Sequence, residues 1–342
     1  MQILNKTNID FLRLRYIPMM LSAILVVGSI GSFFTLQLNR GLDFSGGTLV
    51  ELAFDKPVDI NKLRKQVEQT GVKGPIVQRI GKLEHVMIRI PLEQGQDSNK
   101  QSNRLIKKLR EQYGERFVES RPDQDNQCIV GTASKPVRCQ IQERRAEFVG
   151  PQIGDELVKK GFWALIGSIV GILIYVMFRF EWRFAVASIV ATTHDVILVF
   201  GFFSILQLEF NLPVLAAMLA ILGYSLNDTI VVFDRIRENF RRLRKRSVRE
   251  IMNTSLNDTL SRTIVTSLTT LVVVLALYFY GGEIMRGFSI ALIVGIFVGT
   301  YSSIFIATPA VLLLGISRED MQVVKKEGAD KPKSSNLFMD YE

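Results

Sequence analysis

Two cysteines and two histidines are all that the 342 residues contain of either type. Cys128 and Cys139 form no Cys-x-x-Cys motif, which leaves thiol redox catalysis without its usual signature. No metal-ligand cluster occurs, and His85 stands alone in a strand-like stretch. No nucleophile with a neighbouring base is apparent, and Gly46-Gly47 lacks the lysine and spacing of a nucleotide-binding loop. Catalytic residues, bound metals and organic cofactors are therefore not expected.

Charge is also scarce where it matters most. Hydrophobic residues make up 48% of the chain, which carries a net charge of +9, and six long runs are nearly free of ionisable groups: 16–38, 161–178, 184–206, 212–233, 263–281 and 287–314. Each is long enough to cross about 30 Å of hydrocarbon. The sequence predicts a polytopic α-helical membrane protein with six transmembrane helices, divided into an N-terminus (1–15), a first span (16–38), an external domain (39–158), spans two to six (159–316, with an Arg-rich loop at 234–262) and a tail (317–342). The first run is longer than a signal-peptide core, and 35–38 offers no small-x-small cleavage site, so it is expected to stay as an anchor.

Short-loop basic residues set the expected orientation. Arg235, Arg237, Arg241, Arg242, Arg244, Lys245, Arg246 and Arg249 follow the fourth span, whereas loops 207–211 and 282–286 hold Arg286 alone. The Arg-rich side is thus expected to be cytoplasmic, with both termini on it, in agreement with Lys6, Arg13 and Arg15 before span one and Arg318, Lys325 and Lys326 after span six. Nucleic acid is not an expected partner, because no interleaved aromatics or recognition module accompany the arginines; membrane lipid is.

Between the first two spans, 48–54 alternates apolar and polar residues as a strand does, and 59–70 follows as a helix capped by Asp59 and closed by Gly71. Strands at 75–80 and 84–90, a helix near 98–113, and strands at 117–119 and 140–149 complete a βαββαβ, ferredoxin-like α+β pattern. Cys128 and Cys139 fall outside the expected cytoplasm, where disulfides persist. Gly131, Ser134 and Pro136 between them suggest a hairpin, and the alternatives of a disulfide and two free thiols both stand.

Asp228 is the only charged residue in 212–233. A carboxylate in hydrocarbon costs several kcal/mol unless it is paired, hydrated or protonated, and such groups mark ion or substrate paths; a buried polar contact or helix kink is the plainer alternative. At 1.5 Å per residue, Asp228 sits about 9 Å inside a boundary near Asp234, and Arg262 on the antiparallel fifth span reaches about 6 Å. The two are therefore expected to meet as a protonation-linked pair, against the alternative of an Arg262 that snorkels and pairs with Asp258. His194 and Asp195 lie near mid-membrane on span three, about 100° apart around the helix, as a second relay element or as structural hydrogen-bonding groups. Thr263, Thr266 and Thr270 form a hydroxyl stripe above Arg262, suited to a water file or to backbone carbonyls. Gly167 with Gly171 and Gly295 with Gly299 have the spacing of close helix contacts. The pentapeptide 225–229 recurs at 255–259, where Ser255 or Asn257 is expected to cap a helix start.

Together, Gly41-Leu42-Asp43-Phe44-Ser45-Gly46-Gly47-Thr48, Val149-Gly150-Pro151, His194-Asp195, 223–229 and Phe233-Asp234-Arg235-Ile236 resemble the signatures of the SecF family. That family is the membrane partner of SecD in the accessory complex of the bacterial Sec translocase and belongs to the resistance, nodulation and division superfamily. The resemblance covers nearly the whole chain. It implies half of a pseudo-symmetric twelve-helix bundle with a periplasmic domain, an inner-membrane location, and SecD, the SecY, SecE and SecG channel, YajC and the translocating preprotein as partners. It further implies use of the proton motive force in late translocation, with H⁺, or alternatively Na⁺, as coupling ion, and with Asp228 and Arg262 matching the family's span-four and span-five charges. Gly41, Asp43, Phe44, Gly46 and Gly47 match its external motif. The alternatives are a half-transporter of lipid or small molecules in the same superfamily, and a structural scaffold for SecD. The paired cysteines and the lysine-rich tail lie outside the family pattern.

Overall fold

The computed structural model describes residues 7–72, 74–90, 98–119, 126–130, 135 and 137–317. Lys6, Gly131, Ser134, Pro136, Arg318, Lys325, Lys326 and nearly all of the tail lie outside the described residues. Six helices among the described residues are long and apolar enough to cross a membrane. They are α1 (Tyr16–Thr35), α5 (Pro151–Arg179), α6 (Trp182–Ile205), α7 (Leu212–Arg242), α8 (Val248–Tyr280) and α9 (Gly282–Ser302). The last continues through a π-helical turn, Ser303–Ala307, into α10 (Thr308–Leu313). Helices α6, α7 and α9 form the bundle centre, while α1, α5 and α8 leave most of their apolar surface uncovered.

Several helices run past the expected boundaries. Helix α5 already starts at Pro151, because Gly150 in extended conformation followed by proline at the first helical position is a favourable start. The region expected as an Arg-rich loop at 234–262 is mostly helical, since α7 continues to Arg242 and α8 starts at Val248. Ion pairs of Arg235 with Glu238 and Asp258 support these ends, and a capping box in which Ser247 and Glu250 satisfy each other's backbone amides opens α8. The second copy of the pentapeptide therefore lies inside α8 and caps nothing. Its Asn257 side chain instead donates to the Ile9 carbonyl at 2.8 Å and accepts from the Ile9 amide at 2.9 Å, which seats the N-terminal segment on α8.

Two glycine pairs with the same spacing separate in role. A Cβ on Gly295 would come within 2.4 Å of Ile221, so α9 and α7 touch backbone to side chain there, and one on Gly299 would lie 3.1 Å from Ser225. A Cβ on Gly167 or Gly171 would meet nothing within 4 Å, so the expected close contact at that pair is not made among the described residues.

The α+β domain begins with β1 (Asn39–Arg40) and a single helical turn, α2 (Leu42–Ser45). Strands β2 (Gly47–Phe54), β3 (Ile76–Arg79), β4 (His85–Ile90) and β8 (Ile141–Val149) form an antiparallel sheet in the order β3-β4-β2-β8, with helices α3 (Ile60–Gln69) and α4 (Ser98–Gln112) packed on it. This is the spatial order of the βαββαβ split. Alternate residues Val50, Leu52 and Phe54 of β2, Val86, Ile88 and Ile90 of β4, and Leu63, Val67, Leu105 and Leu109 of the helices fill its core. Residues 117–119 do not join this sheet. They belong to β5 (Glu115–Glu119), which pairs with β6 (Gln127–Val130), and β6 pairs with β7 (Val137–Arg138) in a separate three-stranded sheet. A disulfide joins buried Cys128 to Cys139, with Cα atoms 4.9 Å apart, and Arg110 donates to the Ile141 carbonyl at 3.1 Å beside it.

Candidate functional site

The two buried carboxylates of the bundle are built differently. Asp195, 1% exposed on α6, accepts from three donors: His194 Nδ1 at 2.9 Å on Oδ1, and Ser225 Oγ at 2.5 Å and Ser302 Oγ at 2.8 Å on Oδ2. Three helices, α6, α7 and α9, thus converge on one carboxyl group, and hydrogen bonds of this kind offset the cost of burying it. His194 and Asp195 contact each other despite pointing about 100° apart, because the imidazole folds across to its neighbour. With Nδ1–H donating, His194 Nε2 has no hydrogen-bond partner among the described residues, and the ring stacks on Tyr301 at 6.4 Å.

Asp228, on α7 one turn beyond Ser225, is 2% exposed and, among the described residues, has one hydrogen bond, from Thr266 Oγ at a long 3.5 Å to Oδ1, while its buried Oδ2 has none. The expected ion pair is absent: among the described residues Arg262 forms no ion pair with Asp228 within 4 Å, and the Thr266 hydroxyl is the group that bonds to it. Nor does Arg262 hold Asp258, whose Oδ2 is taken by Arg235 Nη2 at 2.8 Å and Asn239 Nδ2 at 3.1 Å. Arg262 lines a polar cavity of about 1140 Å³ with Asn227, Thr259, Asp234, Arg237 and others, which reaches from the Arg-rich end to the neighbours of Asp228. Thr266 and Thr270 bond mainly to carbonyls of their own helix, while Ser267 pairs with Thr300 at 2.7 Å, so the stripe is largely self-satisfied. A carboxylate in this setting has two accessible conditions: neutral where it stands, or charged once a cation or water reaches its free oxygen.

At the far end of α7, the glycine-rich turn ties the bundle to the sheet. Asp43 Oδ2 accepts from the Leu212 amide at 2.8 Å, supplementing Asn211, whose side chain caps the same helix at the Val214 amide. Gly41 N donates to Phe210 O at 2.7 Å, continuing a short parallel pairing of β1 with β9 (Glu209–Phe210), and Phe44 stacks on Phe210 with ring centroids 5.7 Å apart. Gly46 and Gly47 have φ of +67° and +133°, and a Cβ on Gly47 would lie 2.7 Å from the Ile90 carbonyl, so only glycine allows the turn to enter β2 here. Arg89 of β4 closes the joint: it donates to the Arg40 carbonyl at 2.9 Å and to Ser45 Oγ, and lies 3.9 Å from Glu209. Burial pushes this guanidinium below its ordinary value, against the opposing charges of Glu209 and Asp43. Ser302, Arg89 and Glu209 carried no separate signal in the sequence beyond being polar groups in or beside apolar stretches, and Ser225 showed only as the start of the repeated pentapeptide. The glycine-rich turn did carry one.

Comparison with known proteins places this geometry in context. A family model described as protein export membrane protein SecD/SecF, C-terminal, matches residues 129–317, and one described as the SecD/SecF GG motif matches 31–58. Protein translocase subunit SecF of Vibrio alginolyticus is 42% identical over 325 residues, covering 94% of this chain and 96% of the relative. SecF of Escherichia coli O157:H7 is 38% identical over 326 residues, covering 94% of each. The crystal structure of SecDF, a translocon-associated membrane protein from Thermus thermophilus, superposes with a TM-score of 0.72 at 36% identity over 90% of this chain. The chain spans 39% of the length of that structure's chain.

Proposed function

The chain belongs to the SecF family of protein translocase subunits, multi-pass membrane proteins of protein transport, and from that premise we propose that it couples proton movement to late steps of preprotein translocation together with a SecD-type partner. In this reading it sits in the bacterial inner membrane with both termini and the Arg-rich helix ends in the cytoplasm and the α+β domain in the periplasm. The contacts of Ile9 and Asp10 with Asn257 and Arg249, and of Arg183 with the Leu314 carbonyl, support a common face, because they hold the first and last described segments beside the helix ends that carry the arginines. Its partners are then SecD, the SecY, SecE and SecG channel with YajC, and the emerging polypeptide.

The observation that carries the coupling is the unsatisfied Oδ2 of Asp228. A proton on Asp228 neutralises it in place. Its loss leaves a charge with one weak hydrogen bond, which favours any arrangement that brings Arg262 or cavity water to it. Movement of one charge through 100 mV supplies about 2.3 kcal/mol, enough to bias a two-state bundle but not to unfold a protein, which suits release of a sliding chain. The link from α7 through the Asp43 cap and the glycine-rich turn to β2 offers a route by which a shift of α7 reaches the sheet.

The test is export into inverted membranes that contain the chain with its SecD-type partner. Asp228→Asn is expected to remove stimulation by an imposed H⁺ gradient, with none restored by Na⁺. Full stimulation in that variant would leave a structural scaffold. Stimulation by Na⁺ alone in the unmodified protein would change the coupling ion.

A further inference from the structure

A groove of about 490 Å³ opens between α1, α5 and α6 at the end of the bundle nearest the α+β domain. Its walls are hydrocarbon, with Phe33, Phe34, Phe162 and Phe200 among them, and Ser29 is the only uncharged polar side chain in its lining. One charged residue lines it, Arg40, in β1 immediately beyond the end of α1. Among the described residues the Arg40 guanidinium is exposed and has no hydrogen-bond or ion-pair partner; Glu209, which faces the neighbouring position across the β1–β9 pairing, lies 3.9 Å from Arg89. The groove thus joins an apolar slot facing the hydrocarbon to an uncommitted cation at the level where α1 leaves it.

We infer that this groove is a binding site for one bilayer phospholipid, with an acyl chain between α1 and α5 and the phosphate on Arg40. The chemistry on the page selects this occupant. An apolar peptide segment or a neighbouring helix would fill the slot and leave the cation unused, whereas a phospholipid matches both parts. Basic pockets between transmembrane helices recognise lipid head groups in this way, and a guanidinium is suited to bidentate phosphate contact. Anionic phosphatidylglycerol is favoured over a zwitterionic lipid, whose ammonium offsets the phosphate charge. The inference rests on the membrane assignment and is independent of proton coupling at Asp228.

The experiment is native mass spectrometry of the purified full chain in mild detergent, titrated with dioleoyl phosphatidylglycerol. Retention of one lipid per chain is expected, with apparent affinity lowered about fivefold by Arg40→Gln, the worth of one basic residue at an anionic surface, and largely kept by Arg40→Lys. Ile166→Trp, which narrows the slot from α5 and leaves Arg40 in place, is expected to abolish retention, with an unchanged thermal unfolding curve confirming that the chain is folded. Glycerophosphoglycerol, the head group without chains, is expected not to bind. Equal retention in the unmodified chain and in Ile166→Trp would overturn the site. Equal retention of dioleoylglycerol would overturn the role of Arg40. Loss of the lipid from chain purified with its SecD-type partner would show a protein interface instead.

Discussion

The pentapeptide Ser-Leu-Asn-Asp-Thr occurs at 225–229 and again at 255–259, and the two copies share their local bonding while differing in everything around it. In each, the threonine hydroxyl donates to the serine carbonyl four residues earlier, at 3.1 Å and 3.0 Å. Yet Ser225 donates to a buried carboxylate on another helix, whereas Ser255 donates to the Ile251 carbonyl of its own helix. Among the described residues Asp228 has one long hydrogen bond and no paired cation, whereas Asp258 is held by Arg235 and Asn239 at the edge of the bundle. Depth in the bundle, and not the motif, decides which carboxylate is left with an oxygen that no described residue satisfies.

The sharpest way to break this comparison is to neutralise each copy in turn. Asp228→Asn is expected to remove the gradient-dependent part of export, an effect of up to about fiftyfold per 100 mV if one charge moves. Asp258→Asn removes only a half-exposed ion pair, costs about 1 kcal/mol or less of stability, and is expected to keep gradient-dependent export. Equal loss in both variants, measured in the same membranes, would mean that the Arg-rich mouth rather than the buried carboxylate sets the coupling.

Asp195 extends the contrast, because it is the reason that the first serine is engaged. Asp195→Ala leaves Ser225, Ser302 and His194 without their shared acceptor and is expected to destabilise the bundle by about 3 kcal/mol. Asp228→Ala removes a group that was poorly satisfied to begin with, and its thermal unfolding in detergent is expected to shift far less. If the two shifts are alike, Asp228 has stabilising contacts beyond the Thr266 hydroxyl.

Packing behind the first copy gives a smaller effect. Gly295→Ala forces a methyl into Ile221, one turn before Ser225, and is expected to cost about 1–3 kcal/mol. Gly167→Ala meets open space in a helix and is expected to be neutral or to stabilise by up to about 1 kcal/mol. A cost for Gly167→Ala that appears only when the partner subunit is present would place α5 against that partner.

Much of this architecture was legible in the chain, for identifiable reasons. Spans are long uncharged runs, and a run of apolar residues has few other uses, so all six were found, with ends displaced where Arg235, Glu238 and Asp258 let helices continue into water. Asp228 stood out because charge is rare at its depth. Side-chain partners were harder. Equal depth placed Asp228 beside Arg262, but depth says nothing of rotation about the helix axis, and the two do not touch. Periodicity likewise placed His194 and Asp195 on different faces, although a flexible side chain spans that angle. The fate of 117–119 turned on a pairing with β6, which no local pattern specifies.

The helices that carry the two copies also start differently, and this provides the finest test. Helix α8 caps itself through Ser247 and Glu250, three residues apart, so Ser247→Ala is expected to cost about 1 kcal/mol of stability and leave export as it was. Helix α7 takes its first amide bond from Asp43, 169 residues away in the turn that leads into β2. Asp43→Ala is expected to cost a similar 1 kcal/mol, with Asn211 limiting the damage. It should also weaken gradient-dependent export in proportion to lost coupling between α7 and the sheet, and Asp43→Asn, which keeps the acceptor oxygen, should restore both. If Asp43→Ala lowers stability while export keeps its full gradient dependence, the cap is an anchor only, and movement of α7 reaches the external domain by another route.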